Sequence, residues 1–96
     1  MEEIFGIAAF RSRQHVMAFD RELVKAGVRT SIVNTPRAVA AGCGLSVRFE
    51  MKDERLVAER CRALRPENLV GLYYVFRREG GRVEVSPMGV ANTGKG

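Results

Sequence analysis

The chain is poor in the residues from which metal centres and disulfide frameworks are built: its 96 residues include two cysteines, one histidine and no CxxC pair. Cys43 and Cys61 stand 18 positions apart, which matches no zinc-ligand spacing, so a metal is not expected; no organic cofactor is expected either, since exchange at a thiol requires none. Long apolar runs are missing as well. None approaches the roughly 18 residues of a membrane span, and the start Met1-Glu2-Glu3 is acidic, so neither insertion nor export is indicated. A cytoplasmic location is expected, and in that reducing compartment a Cys43–Cys61 disulfide is not. Concentrated charge is absent too. The net charge of +5 comes mostly from arginines spread along the whole sequence, weak evidence for a nucleic-acid partner.

What the sequence does contain is the material of one ordinary globular domain, 46% hydrophobic and 28% charged. At this length the core is modest and leaves little room for a deep, walled active site. A carrier, a binding module or a small subunit is therefore favoured over a self-sufficient enzyme.

Periodicity divides the chain into alternating elements. Ile4–Phe10 is a continuous apolar run without helical period and reads as a central strand buried on both faces. From Ser12, an N-cap residue, Val16, Phe19, Leu23 and Val24 recur at helical spacing until Gly27 closes the segment. Val28–Asn34 reads as a second strand. Leu45–Phe49 alternates apolar with polar, predicting a strand with one face on the core and one towards solvent. Asp53 opens a second helix whose Val57, Cys61 and Leu64 form the apolar stripe, which makes Cys61 a core residue, and Pro66 ends it. Leu69–Arg77 is a long strand that turns at Glu79-Gly80-Gly81 into Arg82–Val85, a hairpin. The expected fold is a ferredoxin-like two-layer α/β sandwich, β-α-β-β-α-β plus a short C-terminal hairpin strand, occupying residues 1–87 with a flexible tail at 88–96.

One segment stands out for chemistry. Thr35-Pro36-Arg37 leads through Ala38–Gly42 to Cys43-Gly44, which leaves a thiol between two glycines just before a strand. A thiol flanked by residues without side chains is uncovered, an odd setting for a packing cysteine. A right-handed crossover makes the first two strands parallel. The loop then shares a sheet end with Arg11, Ser12, Arg13 and the start of the first helix, and with the turn at Arg65-Pro66-Glu67. A positive environment there raises the thiolate fraction of Cys43, the form that attacks sulfur and selenium electrophiles. The N–H groups of Gly42 and Gly44 can help to hold a terminal sulfide or selenide anion. Ser12 caps the anion-facing helix end, and His15 is either an exposed polar residue of the first turn or a neutral hydrogen-bond partner for the loop.

Between Phe10 and Phe49 the chain resembles the putative selenium/sulfur carrier protein-like family. The resemblance runs through Ser12 and His15, Ala26-Gly27-Val28, Thr35-Pro36-Arg37 and Cys43-Gly44-Leu45, and the Pro-Arg, five-residue gap, Cys-Gly pattern is its most specific part. It implies a small cytoplasmic protein that holds sulfane sulfur or selenium transiently on Cys43 as a persulfide-type adduct, with Arg37 stabilising the anion. The implied partners are a donor such as a cysteine desulfurase and an acceptor biosynthetic enzyme. Similar proteins tend to have serines in the gap, where this chain has Ala38-Val39-Ala40-Ala41-Gly42.

Two other classes remain in view. A small interaction or regulatory subunit, with Cys43 structural, would pair with a second copy through an open apolar sheet face. An RNA-binding module is disfavoured: adjacent Tyr73 and Tyr74 point to opposite faces, and no RNP-like pattern occurs on a central strand.

Overall fold

The structure is a computed structural model that describes residues 2–39 and 44–88. Its elements are β1 (Glu3–Phe10), α1 (Arg13–Lys25), β2 (Thr30–Asn34), β3 (Leu45–Phe49), a 3₁₀ turn (Met51–Asp53), α2 (Glu54–Leu64), β4 (Leu69–Arg77), a second 3₁₀ turn (Glu79–Gly81) and β5 (Val83–Pro87). The strands form one five-stranded sheet in the order β2-β3-β1-β4-β5, and every pairing is antiparallel. With two helices on one face, the molecule is a mixed α/β sandwich. Among the described residues no helix is long and apolar enough to cross a membrane.

The apolar run of the first strand sits where it was expected. β1 is central between β3 and β4, and its residues Phe5 to Phe10 are all buried. Alternation sends Ala8 and Phe10 into the helix-side core with Phe19, Leu23, Val47 and Val57. Phe5 and Ile7 face the other way and cluster with Val75. Gly6 pairs with Phe49, whose ring lies where a Cβ on Gly6 would be, so the helix-side core closes over a missing side chain.

α1 ends as its sequence dictates. Gly27 has φ +90, its N–H donates to the Val24 carbonyl, and the Val28 N–H donates to the Leu23 carbonyl, the paired bonds of a Schellman cap. Val28 is used in closing the helix, which is why β2 starts at Thr30 rather than at Val28. Two apolar positions assigned to helix stripes are displaced: Val24 is 55% and Leu64 39% exposed. Leu64 is the last residue of α2, and Val24 lies one helical step round from the fully buried Leu23, off the face that packs in the core. Cys61, by contrast, is 6% exposed in the core, as its register requires. β5 runs on to Pro87 because an edge strand tolerates a residue without N–H, and Met88, placed by sequence in the tail, is 3% exposed and packs in the helix-side core. Residues 89–96, the rest of the expected tail, lie outside the described residues.

The sheet positions the loops. β1 and β2 are both antiparallel to β3 and so run the same way, ending at Phe10 and Asn34 on the edge where Leu45 pairs with Asn34 and Leu69 with Phe10. The β2–β3 loop, the start of α1 and the α2–β4 turn therefore share one end of the sheet.

Candidate functional site

The β2–β3 loop is closed at its base by two hydrogen bonds. The Thr35 N–H donates to the Gly44 carbonyl at 2.8 Å, and the Thr35 and Ser46 hydroxyls lie 2.6 Å apart. Gly44 has φ +73, a backbone conformation that side-chain-bearing residues rarely adopt, so the turn into β3 needs glycine. Ser46 stands on the strand face expected to meet solvent, yet it is fully buried. Its hydroxyl finds in Thr35 the partner that burial demands. Past the base, the Val39 N–H donates to the Pro36 carbonyl at 3.0 Å, a tight turn that buries Val39 and leaves Arg37 and Ala38 exposed. Gly42 and Cys43, on which the expected chemistry centres, lie outside the described residues.

The start of α1 forms a second cluster at the same end. Ser12 occupies the N-cap position, and its carbonyl accepts from the N–H groups of His15 and Val16, but its side chain makes no capping hydrogen bond. Among the described residues His15 meets the α2–β4 turn. Its Nδ1 lies 3.2 Å from the Asn68 amide nitrogen, which donates to it in the tautomer protonated on Nε2, and that Nε2 is 3.8 Å from the Glu67 carboxylate. The Arg11 N–H donates to the Asn68 carbonyl at 2.8 Å and ties the two segments together. Ser12 and His15 thus stand with Asn68 and Glu67. Arg37 stands with the loop base.

Arg37 lies on the side of the sheet that the helices leave uncovered. There Thr35, Pro36, Arg37 and Ala38 form one wall of a groove of about 390 Å³ whose floor is Phe5, Ile7 and Val75. The face is not open hydrocarbon. The Arg48 guanidinium stacks on the Phe5 ring 3.8 Å from its centroid and binds Glu3 at 2.9 Å, and Arg77 binds the same carboxylate at 3.2 Å. The hydrogen bond from Arg48, helped by both positive charges, holds the Glu3 carboxyl below the usual carboxylate range. Tyr73 packs against this cluster, whereas Tyr74 packs in the helix-side core and donates to Glu54, so the adjacent tyrosines occupy opposite faces.

Sequence reasoning missed this groove and the bond between Thr35 and Ser46. A signal for the groove was available in β1, where Phe5 and Ile7 alternate with Ala8 and Phe10 and supply apolar side chains to both faces. Cys61, the free cysteine among the described residues, has no part in either cluster, and burial pushes its thiol up to about 12. Among the described residues no three His, Cys, Asp or Glu side chains come together as a metal site.

A family model described as Putative Se/S carrier protein-like matches residues 5–68, about two thirds of the chain, from the first central strand through the loop and α2 to the turn that holds His15. No curated protein and no solved structure matches the chain significantly.

Proposed function

The chain belongs to the Putative Se/S carrier protein-like family, and on that footing we propose that it accepts sulfur or selenium on Cys43 and passes it to a biosynthetic enzyme. The observation that carries this reading is the family match over the loop and the elements that position it. The closed loop base supports it. Cys43 is one peptide bond from Gly44, whose carbonyl is held by the Thr35 N–H, so a thiol on this loop would be presented from a fixed stem. The fold reading that goes with it is a ferredoxin-like sandwich with β5 added beside β4, supported by the order β-α-β-β-α-β and by β1 lying between β3 and β4.

In the proposed exchange the Cys43 thiolate attacks the outer sulfur of a donor persulfide, such as that of a cysteine desulfurase. The new bond joins the Cys43 sulfur to the transferred atom, the donor's own sulfur–sulfur bond breaks, and the donor cysteine leaves as thiolate. No external oxidant or reductant enters, because the transferred atom keeps its oxidation state. Arg37 stabilises the resulting terminal anion, assisted by the N–H groups of Gly42 and Gly44. Release repeats the exchange, with a nucleophile of the acceptor attacking the terminal atom. Ser12 and His15 enter this scheme through the helix end they order, since the partners of His15 are Asn68 and Glu67.

Alkylation of the folded protein tests the proposed site. Iodoacetamide should modify Cys43 at least about a hundredfold faster than Cys61, and Arg37→Ala should slow the reaction at Cys43 by removing the nearby positive charge. Equal, slow modification of both cysteines would make Cys43 a packing residue. The interaction-subunit reading would then take its place.

A further inference from the structure

We propose that the groove on the helix-free sheet face is a binding site for a small organic monoanion, a carboxylate carried on an apolar body. This goes beyond the carrier reading and stands on the geometry of the groove alone.

The recess has the makings of a small-ligand site. Its volume of about 390 Å³ falls within the range of small-molecule pockets, about 300–1,000 Å³. Phe5, Ile7 and Val75 form its floor and Val33 and Val85 flank it, so the body of an occupant would meet hydrocarbon on several sides.

The charges at its two ends differ. Arg77 lines the groove where β4 ends, and it is held by Glu3 at 3.2 Å, a carboxylate it shares with Arg48. Arg37 lines the groove at the loop end and is in none of the ion pairs found among the described residues. Arg37 is therefore the lining guanidinium that no described carboxylate holds, set beside an apolar trough with Asn34 and Thr35 as polar neighbours. A guanidinium accepts a carboxylate in a two-pronged, charge-assisted pair, which sets the headgroup at the loop end and the apolar body along the strands. A doubly charged phosphate would leave charge unmatched against the valines, whereas an uncharged hydrocarbon would leave Arg37 unused.

The test is a titration of methyl-labelled, unloaded protein with octanoate and, separately, with 1-octanol, followed by NMR. Octanoate should produce saturable shifts confined to the methyls of Ile7, Val33, Val75 and Val85 and should bind about tenfold or more tighter than octanol. Arg37 is exposed, so Arg37→Ala should fold normally and bring the two affinities together, while Arg37→Lys should keep part of the preference. Absence of saturable shifts with octanoate, shifts centred elsewhere, or a preference for octanoate that survives Arg37→Ala would each overturn the proposal. The readout is binding to the free protein, so failure of Cys43 to accept sulfur would leave the result unaffected.

Discussion

Thr35 and Ser46 join hydroxyls at 2.6 Å across the base of the loop that carries Cys43, and the second of these hydroxyls is fully buried. A buried hydroxyl that loses a partner costs more than an exposed one, because no water replaces the bond. Thr35→Val keeps the shape of the side chain and removes its hydroxyl. It should lower stability by about 1–2 kcal/mol in urea denaturation, on the usual scale for such a loss. Ser46→Ala in the same background should recover part of that loss, since the orphaned group is then gone; additive losses would show that the two hydroxyls are not coupled.

Gly6 and Phe49 make a second such pair, decided by shape rather than polarity. A Cβ on Gly6 would overlap the Phe49 ring and press on Met88. Gly6→Ala should destabilise the protein by about 1–3 kcal/mol through overpacking, and Phe49→Leu should be better tolerated in the Gly6→Ala background than in the wild type. Thermal denaturation of the four proteins gives the comparison.

Acid acts on stability through Glu3 on the helix-free face. The carboxyl of Glu3 is held below its ordinary value of 4.5 by Arg48 and Arg77, so its contribution to stability is present above that value and is lost as pH falls through the lowered one. Glu3→Gln removes this dependence. Stability measured between neutral pH and about pH 3 should fall less steeply for the variant; identical slopes would show that the Glu3 ion pairs contribute nothing measurable.

Alkali acts through Cys61 in the opposite direction. Burial raises its thiol from 9.0 to about 12, so between these values the folded chain keeps a proton that the unfolded chain has released. Stability should therefore decline as pH rises across that window, and Cys61→Val should flatten the decline while leaving stability at pH 7 within about 1.5 kcal/mol of the wild type. Parallel curves for the two proteins would place the alkaline sensitivity elsewhere, for instance at Tyr74, whose hydroxyl is also raised, chiefly by its hydrogen bond to Glu54.

How far the sequence led can be read from particular residues. β3 and β4 were legible to the residue, because alternation or a continuous apolar run set between turn residues leaves little choice of ends. The burial of Cys61 followed from helical register alone. Local pattern, though, carries no knowledge of what folds over a face, so Ser46 read as solvent-facing until Thr35 was found above it. The same blindness hid the groove, which is assembled from the loop after β2 and from the distant strands β1, β4 and β5. Topology brought the loop and the start of α1 to one end of the sheet, but the side of the sheet on which each lies depends on side-chain packing. That is why Arg37 and His15, expected around one site, have separate neighbours.

The central claim is that Cys43 is the point of attachment for the transferred atom, and the most direct measurement is intact-protein mass spectrometry with peptide mapping. Wild type, Cys43→Ser and Cys61→Ser are each incubated with a cysteine desulfurase and either cysteine or selenocysteine. The account predicts a single reducible sulfur or selenium adduct that maps to Cys43, persists in Cys61→Ser and is lost in Cys43→Ser. An absent adduct, or one lost equally in both variants, would contradict it.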